Sequence, residues 1–291
     1  MRWFAADLVA SARPRQWSKN LVVLSALLFA LEFRDGVSVL VAVGSMLLFT
    51  AISGGHYILN DVIDASLDQR HPTKRNRPIA TGRLSRPIAT GSAVFVILTA
   101  TVLGFLLAWP LGVALTSYVL LQVMYTFWLK HIVVLDLLAI SIGFVVRAAG
   151  GALAISVAIS PWLYICTFVL ALFLAVSKRW AELAGQPSAE RARPVLGTYT
   201  PDFLRTLIVI TVTSTLISYT LYTFSAPNLP ANHSMMLTVP IVLYGLLRYV
   251  YLVQVRGVGE APERLLLEDR GILASSVLWV VMSGTILQFA A

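Results

Sequence analysis

Long apolar runs alternate with short polar stretches from one end of the chain to the other. Nine runs stand out, at about 20–33, 37–61, 88–108, 112–128, 133–156, 159–177, 203–224, 235–254 and 272–290. A bilayer core takes about 20 apolar residues of α-helix, and most of the runs reach that length. The first and fourth are shorter, and tilt or local thinning of the membrane would accommodate them. Pro110, Pro161 and Pro240 sit at or near run starts, where a helix tolerates a missing N–H. The pattern predicts an all-α polytopic membrane bundle of nine transmembrane helices. No low-complexity linker or composition shift divides the chain, so 1–291 is expected to form one domain.

Composition agrees: 58% of residues are hydrophobic and 12% charged, against about 45–50% and about 25% in soluble domains. The net charge of +8 does not point to nucleic acid, because the cations follow the membrane pattern. Arg2, Arg13, Arg15 and Lys19 precede the first run, and Arg70, Lys74, Arg75, Arg77, Arg83 and Arg86 follow the second. Lys130, then Lys178, Arg179, Arg191, Arg193 and Arg205, then Arg248, Arg256, Arg264 and Arg270 fall on the same side, with only Arg34 opposite. The positive-inside rule then predicts a cytoplasmic N-terminus in the cell (inner or plasma) membrane and an outer C-terminus. Nothing resembles a cleaved signal peptide, and the first run is expected to act as an uncleaved anchor. The single cysteine, Cys166, excludes an internal disulfide and a cysteine metal site.

The acids sharpen this picture. Asp61, Asp64, Asp68, Asp136, Glu182, Glu190, Asp202, Glu260, Glu263, Glu268 and Asp269 all fall on the predicted cytoplasmic side. At about 100° per residue, Asn60, Asp61, Asp64 and Asp68 share one arc of a helix at the polar end of the second run. Clustered carboxylates repel unless a positive charge lies between them. Oxygen-only ligands suit Mg²⁺, which keeps waters and shares substrate phosphates, and the basic stretch after Asp68 suits a phosphorylated substrate.

Three further constellations follow. Tyr125 and Lys130, with Asp136 beyond, offer a phenol, a mobile point charge for phosphate and an acid needing a partner; an aromatic belt with a positive-inside lysine is the plainer reading. Arg147 lies within an apolar stretch, where a cation costs about 2.5–3.5 kcal/mol. It shares a face with Asp136 three turns away, and serves as a substrate contact or a structural pair; Gly150-Gly151 suits close helix packing. Lys178, Arg179 and Glu182 form either a cationic wall with an extra acceptor or an i,i+4 surface pair. The stretch from Arg13 to Asn20 is an interfacial anchor or delivers Lys19 and Asn20 to the site, while 262–270 is a lid, a re-entrant segment or a plain loop. His56 is expected to be a satisfied buried histidine, and His71, His131 and His233 have no zinc spacing. There is no Gly-rich phosphate loop and no Ser, Cys or His set for a covalent nucleophile.

The motif Asn60-Asp-x-x-Asp64-x-x-x-Asp68, nine spans and a second polar region between spans four and five resemble the UbiA superfamily of intramembrane prenyltransferases. The resemblance implies a helical bundle with a lateral opening to lipid and Mg²⁺ on a substrate diphosphate. Arg13-Pro-Arg-Gln-Trp-Ser-Lys19-Asn20, the run from Asp68 to Gly82, Tyr125-x₄-Lys130-His131 and Gly143-Phe-Val-Val-Arg147 are similar to the branch that moves phosphoribosyl groups. That branch implies phosphoribosyl diphosphate as donor, polyprenyl (decaprenyl) phosphate as acceptor, and a lipid-linked precursor of cell-wall arabinose, hence arabinogalactan, as product. Asn60, Asp64 and Asp68, with Asp61, would hold Mg²⁺; Lys19, Lys74, Arg77, Tyr125, Lys130, Lys178 and Arg179 would neutralise phosphates. The aromatic prenyltransferases usually carry two acids in their second motif, and only Asp136 stands here. The runner-up is prenyl transfer from a polyprenyl diphosphate to an aromatic or glyceryl-phosphate acceptor. A transporter would call for paired interrupted spans, which the two halves do not display. The sequence leaves a homo-oligomer open.

Overall fold

The computed structural model describes residues 2–30, 32–70, 74–185, 194–227, 229–259 and 261–289. His71, Glu190, Arg191, Arg193 and Glu260, which entered the sequence argument, lie outside the described residues. Among the described residues every regular element is helical. Helix α1 (Arg2–Ser11) leads through 3-10 turns over Pro14–Leu24 into the short α2 (Ser25–Phe29). Then come α3 (Gly36–Ile63), α4 (Ala65–Asp68), α5 (Arg86–Leu107), α6 (Trp109–Phe127) and α7 (Leu135–Ala154). The chain continues with α8 (Pro161–Gly185), α9 (Pro201–Ser225), α10 (Val239–Gln254), α11 (Pro262–Glu268) and α12 (Arg270–Phe289).

Eight of these are long and apolar enough to cross a membrane: α3, α5 to α9, α10 with its preceding turn from Ser234, and α12. Their starts follow local chemistry. The Asp35 carboxylate caps α3 by accepting from the Val37 and Ser38 amides, and the Thr200 hydroxyl caps α9 at Phe203. Proline occupies the first turn of α5, α6, α9, α10 and α11, where its missing N–H costs nothing. Consecutive helices pack as antiparallel neighbours, from α3 against α5 through α10 against α12. Leu40, Phe95 and Leu106 stand 70% or more exposed on the outside of the bundle. Asn20, Ser53, Asp61, Asp68, Asp136, Arg147 and Arg179 are buried within it. Apolar outside and polar inside is the distribution of a protein dissolved in lipid: this is a multi-pass membrane protein.

The expected first span, 20–33, is not a continuous helix. Its first half belongs to the 3-10 turns that start at Pro14, and α2 runs for five residues. Asn20 and Val23 are buried in this part, which packs against α3 and α7. Gly151 makes the approach possible: a Cβ there would sit 1.9 Å from the Val23 carbonyl oxygen. At the next residue back, a Cβ on Gly150 would meet the Phe49 ring at 2.7 Å, in keeping with the close packing expected of this pair.

Candidate functional site

The acidic motif straddles a break. Asp64 caps the end of α3 at φ −87° and ψ 3°, and α4 restarts at Ala65. The i→i+4 bonds survive the break, from the Asp64 amide to Asn60 and from the Asp68 amide to Asp64, so the acids stay on one side. Their environments differ. Asp61 and Asp68 are buried, while the Asp64 side chain is 38% exposed.

Arginines hold the two buried acids. Arg77 Nη1 lies 2.9 Å from Asp61 Oδ1 and 2.6 Å from Asp68 Oδ2, and Arg13 Nη2 lies 2.5 Å from Asp61 Oδ1. Arg13 adopts a left-handed backbone, φ 53°, a conformation that costs a residue other than glycine of order 1 kcal/mol and clusters at working sites. Its guanidinium also stacks over Tyr57, 4.9 Å from the ring centroid. Lys130 Nζ lies 3.9 Å from Asp64, and the Thr126 hydroxyl donates to Asn60 Oδ1 at 2.9 Å. Lys74 lies partly buried in the turn Lys74–Asn76.

Beside this cluster opens a cavity of about 740 Å³, lined by Arg13, Arg15, Gln16, Arg77, Glu263 and Arg264 among others. Four arginines in one concave wall favour phosphate, which their planar forks can bind in pairs. Behind it, Lys19 lies 3.6 Å from Glu263 and donates to Gln16 Oε1 at 3.0 Å. Burial holds the Lys19 ammonium below its ordinary value of 10.5; Glu263 opposes that shift, and Arg147 and Arg13 add to it. Lys178 Nζ lies 3.8 Å from Glu182 Oε1, one residue before the buried Arg179.

The second polar region is locked. Arg179, 1% exposed, donates from Nε to Asp136 Oδ2 at 2.9 Å, from Nη1 to Glu182 at 2.9 Å and from Nη2 to the Tyr125 hydroxyl at 3.4 Å. The Tyr199 hydroxyl donates to Asp136 Oδ1 at 2.7 Å and accepts from the Val134 amide at 2.8 Å. Asp136 and Arg147 do share a face of α7, but eleven residues is about 16 Å along the axis, and each has its own partners. Arg147 donates to Asn20 Oδ1 at 2.8 Å, to the Gly143 carbonyl at 3.3 Å, to Ser53 Oγ at 3.4 Å and to the Tyr118 hydroxyl. All four acceptors are neutral, and Tyr118 and Phe144 lie under its charge at 4.5 and 5.2 Å.

Of the residues singled out in the sequence, Asn60, Asp61, Asp64, Asp68, Arg77 and Lys130 come together around the α3–α4 break. Tyr125, Asp136, Arg179 and Glu182 form a second group, and Asn20 with Arg147 a third, deeper one. Arg13, Glu263, Tyr199, Tyr118 and Ser53 were not singled out as site residues. Arg13 and Glu263 carried a signal, being charged residues in segments already suspected of reaching the site. The other three look like ordinary helix residues in the sequence.

Among the described residues, no three His, Cys, Asp or Glu side chains stand close enough together to form a metal site by themselves. Mg²⁺ needs only one or two carboxylates when substrate phosphates and water complete its shell. The half-exposed Asp64, with the Asn60 oxygen one turn before it, fits that requirement; Asp68, held by one arginine, and Asp61, held by two, would have to loosen those pairs to join.

The UbiA prenyltransferase family matches residues 21–267. Decaprenyl-phosphate phosphoribosyltransferase from Mycolicibacterium smegmatis is 31% identical, over 98% of this chain and 93% of that one. The Corynebacterium glutamicum protein of the same name is 33% identical over 95% and 85%. In three dimensions, a UbiA homolog from Archaeoglobus fulgidus bound to GPP and Mg²⁺ superimposes with a TM-score of 0.73 over 97% of this chain and 99% of that one, at 15% identity. With the helical bundle, the acids at the end of α3 and the match running from the N-terminal turns to α11, the chain belongs to the UbiA prenyltransferase family.

Proposed function

We propose that the chain transfers a 5-phosphoribosyl group from phosphoribosyl diphosphate to a polyprenyl phosphate, with Mg²⁺ on the donor's diphosphate. The observation that carries the reading is the arginine-walled cavity beside Asp61 and Asp68. A donor with phosphate on C5 and diphosphate on C1 spreads its charge over both ends of a small polar molecule, and Arg13, Arg15, Arg77 and Arg264 surround such a space. Its volume falls within the range of about 300–1,000 Å³ usual for small-molecule sites. The names of the relatives, matched over nearly the whole chain, support the same reaction.

Asn60, Asp64 and Asp68 would hold the magnesium, which when bound neutralises the diphosphate and eases its departure. Arg13 and Arg77 would gather the diphosphate, with Lys130 and Lys74 as mobile cations nearby. Lys19 and Lys178 would serve the second anion, the phosphate of the lipid. As the C1–O bond breaks, C1 becomes cation-like, and a phosphate oxygen of the lipid forms the new bond. That oxygen is already anionic, so no general base is required. Tyr125, which accepts a bond from Arg179, would lend its hydroxyl to the substrate phosphates, and the locked second region would fix its position. The lipid-linked product would feed cell-wall arabinose. The cation pattern supports a cytoplasmic N-terminus and a site at the cytoplasmic face of the inner or plasma membrane.

The test is transfer of label from phosphoribosyl diphosphate to polyprenyl phosphate by the purified protein in detergent. The expected result is Mg²⁺-dependent labelled lipid, abolished by EDTA and by Asp64→Ala. Folded protein giving no labelled lipid across several chain lengths would overturn the reading, and prenyl transfer from a polyprenyl diphosphate would then be tested next.

A further inference from the structure

Glu263 is out of place in a site built for phosphate. It opens α11, a seven-residue helix that packs on the Pro14–Leu24 turns, and it lines the arginine-walled cavity. The residue is 8% exposed, and its Oε2 has no hydrogen-bond partner. Lys19 Nζ stands 3.6 Å from that oxygen, an ion pair longer than a hydrogen bond, and donates to Gln16 Oε1 at 3.0 Å. Buried polar atoms are nearly always hydrogen-bonded, and the ion pair with Lys19 leaves this oxygen without a hydrogen bond. A carboxylate also repels the phosphates the four arginines attract. What it can accept is a hydroxyl.

We propose that Glu263 accepts a hydrogen bond from a ring hydroxyl of the sugar donor and is a specificity-determining residue of the cavity. The assignment rests on the phosphoribosyl reading above and deepens it. A prenyl diphosphate offers no hydroxyl, so toward that donor Glu263 would contribute only repulsion. A ribose hydroxyl fills the gap: it donates to Oε2, and its own oxygen remains free to accept from one of the arginines that line the cavity.

The test uses the full-length protein in detergent and three unreactive inhibitors: carbocyclic phosphoribosyl diphosphate and its 2-deoxy and 3-deoxy forms. Inhibition constants are measured against labelled phosphoribosyl diphosphate. A hydrogen bond to a charged acceptor corresponds to roughly 10- to 100-fold in affinity. The wild type is expected to prefer the dihydroxy inhibitor over one deoxy form by at least about tenfold. Glu263→Ala should bind all three within about twofold of one another, and Glu263→Gln, which keeps the shape and a neutral acceptor, should discriminate weakly. A role confined to neutralising Lys19 would shift all three constants together and leave their ratios alone. An Ala variant that discriminates as the wild type does, or a wild type that does not discriminate, overturns the proposal while transfer activity stands. Absence of both transfer and inhibition in the wild type overturns the underlying reading as well.

Discussion

Asp136 Oδ2 and Arg179 Nε lie 2.9 Å apart with neither side chain more than 2% exposed. The second polar region of the site is therefore an internal ion pair, completed by Tyr199 on one side and by Glu182 and Tyr125 on the other. Breaking such a pair from one end leaves a charge buried and uncompensated, at about 3–5 kcal/mol. Asp136→Ala and Arg179→Met should each lower the thermal midpoint of the detergent-solubilised protein sharply, and the double variant should recover much of the loss. A stable Asp136→Ala protein that has lost only its response to Mg²⁺ would make Asp136 a metal ligand instead.

Arg77 reaches two carboxylates from Nη1 alone, and its guanidinium carries two further nitrogens in the same rigid plane, which a lysine lacks. Arg77→Lys should keep the fold and reduce kcat/KM for phosphoribosyl diphosphate by roughly 10- to 100-fold, the equivalent of one charge-assisted bond. Arg83→Lys makes the control, since its contact to Asp7 at 3.3 Å is largely exposed and such pairs contribute little. Equal losses in both variants would remove the special role given to Arg77.

Much of this arrangement was legible in the chain, for reasons that also set the limit. Apolar runs long enough to cross a bilayer announce themselves, and eight of the nine expected spans are continuous helices. The run at 20–33 is broken instead into 3-10 turns and the five-residue α2, with Val23 buried where Gly151 allows its approach, and apolar spacing does not distinguish that from a continuous helix. Periodicity placed Asn60, Asp64 and Asp68 on one side of one helix, and Asp136 with Arg147 on one face of another. It carries no information on which helix lies opposite. The Asp136–Arg179 pair joins residues 43 positions apart, and Asn20–Arg147 joins residues 127 apart. Glu263 meets the same limit: the sequence marks 262–270 as a candidate lid, re-entrant segment or loop, but not that α11 sets this acid against the turns that hold Lys19.

Lys19 should set an alkaline limit to donor binding. Enclosure holds its ammonium below 10.5, with Glu263 opposing and Arg147 and Arg13 reinforcing. Between that lowered value and 10.5 the unfolded chain binds more protons than the folded one, so this residue's contribution to stability rises with pH across the window. Affinity for an anion runs the other way, because it needs the charge. The kcat/KM profile for the substrate that Lys19 meets should therefore fall on the alkaline side beginning below pH 10.5. Lys19→Arg should remove that limb, since a guanidinium keeps its proton. An unchanged limb in the arginine variant would assign it to another group.

The clearest structural test concerns the Pro14–Leu24 turns, which carry Lys19 and Asn20 and adjoin Arg13. Their seat against α7 exists only because position 151 lacks a side chain; a methyl there would overlap the Val23 carbonyl, and backbone cannot rotate aside as a side chain can. Gly151→Ala should push the segment outward and pull Asn20 from Arg147, leaving a buried cation short of one acceptor. Loss of transfer activity together with a lowered thermal midpoint is expected. Gly91, inside α5, makes the opposite case: a Cβ there meets nothing within 4 Å. Gly91→Ala should stabilise the helix by about 0.5–1 kcal/mol in soluble terms and leave activity unchanged. If Gly151→Ala is as stable and active as Gly91→Ala, the turns are not held where the site requires them.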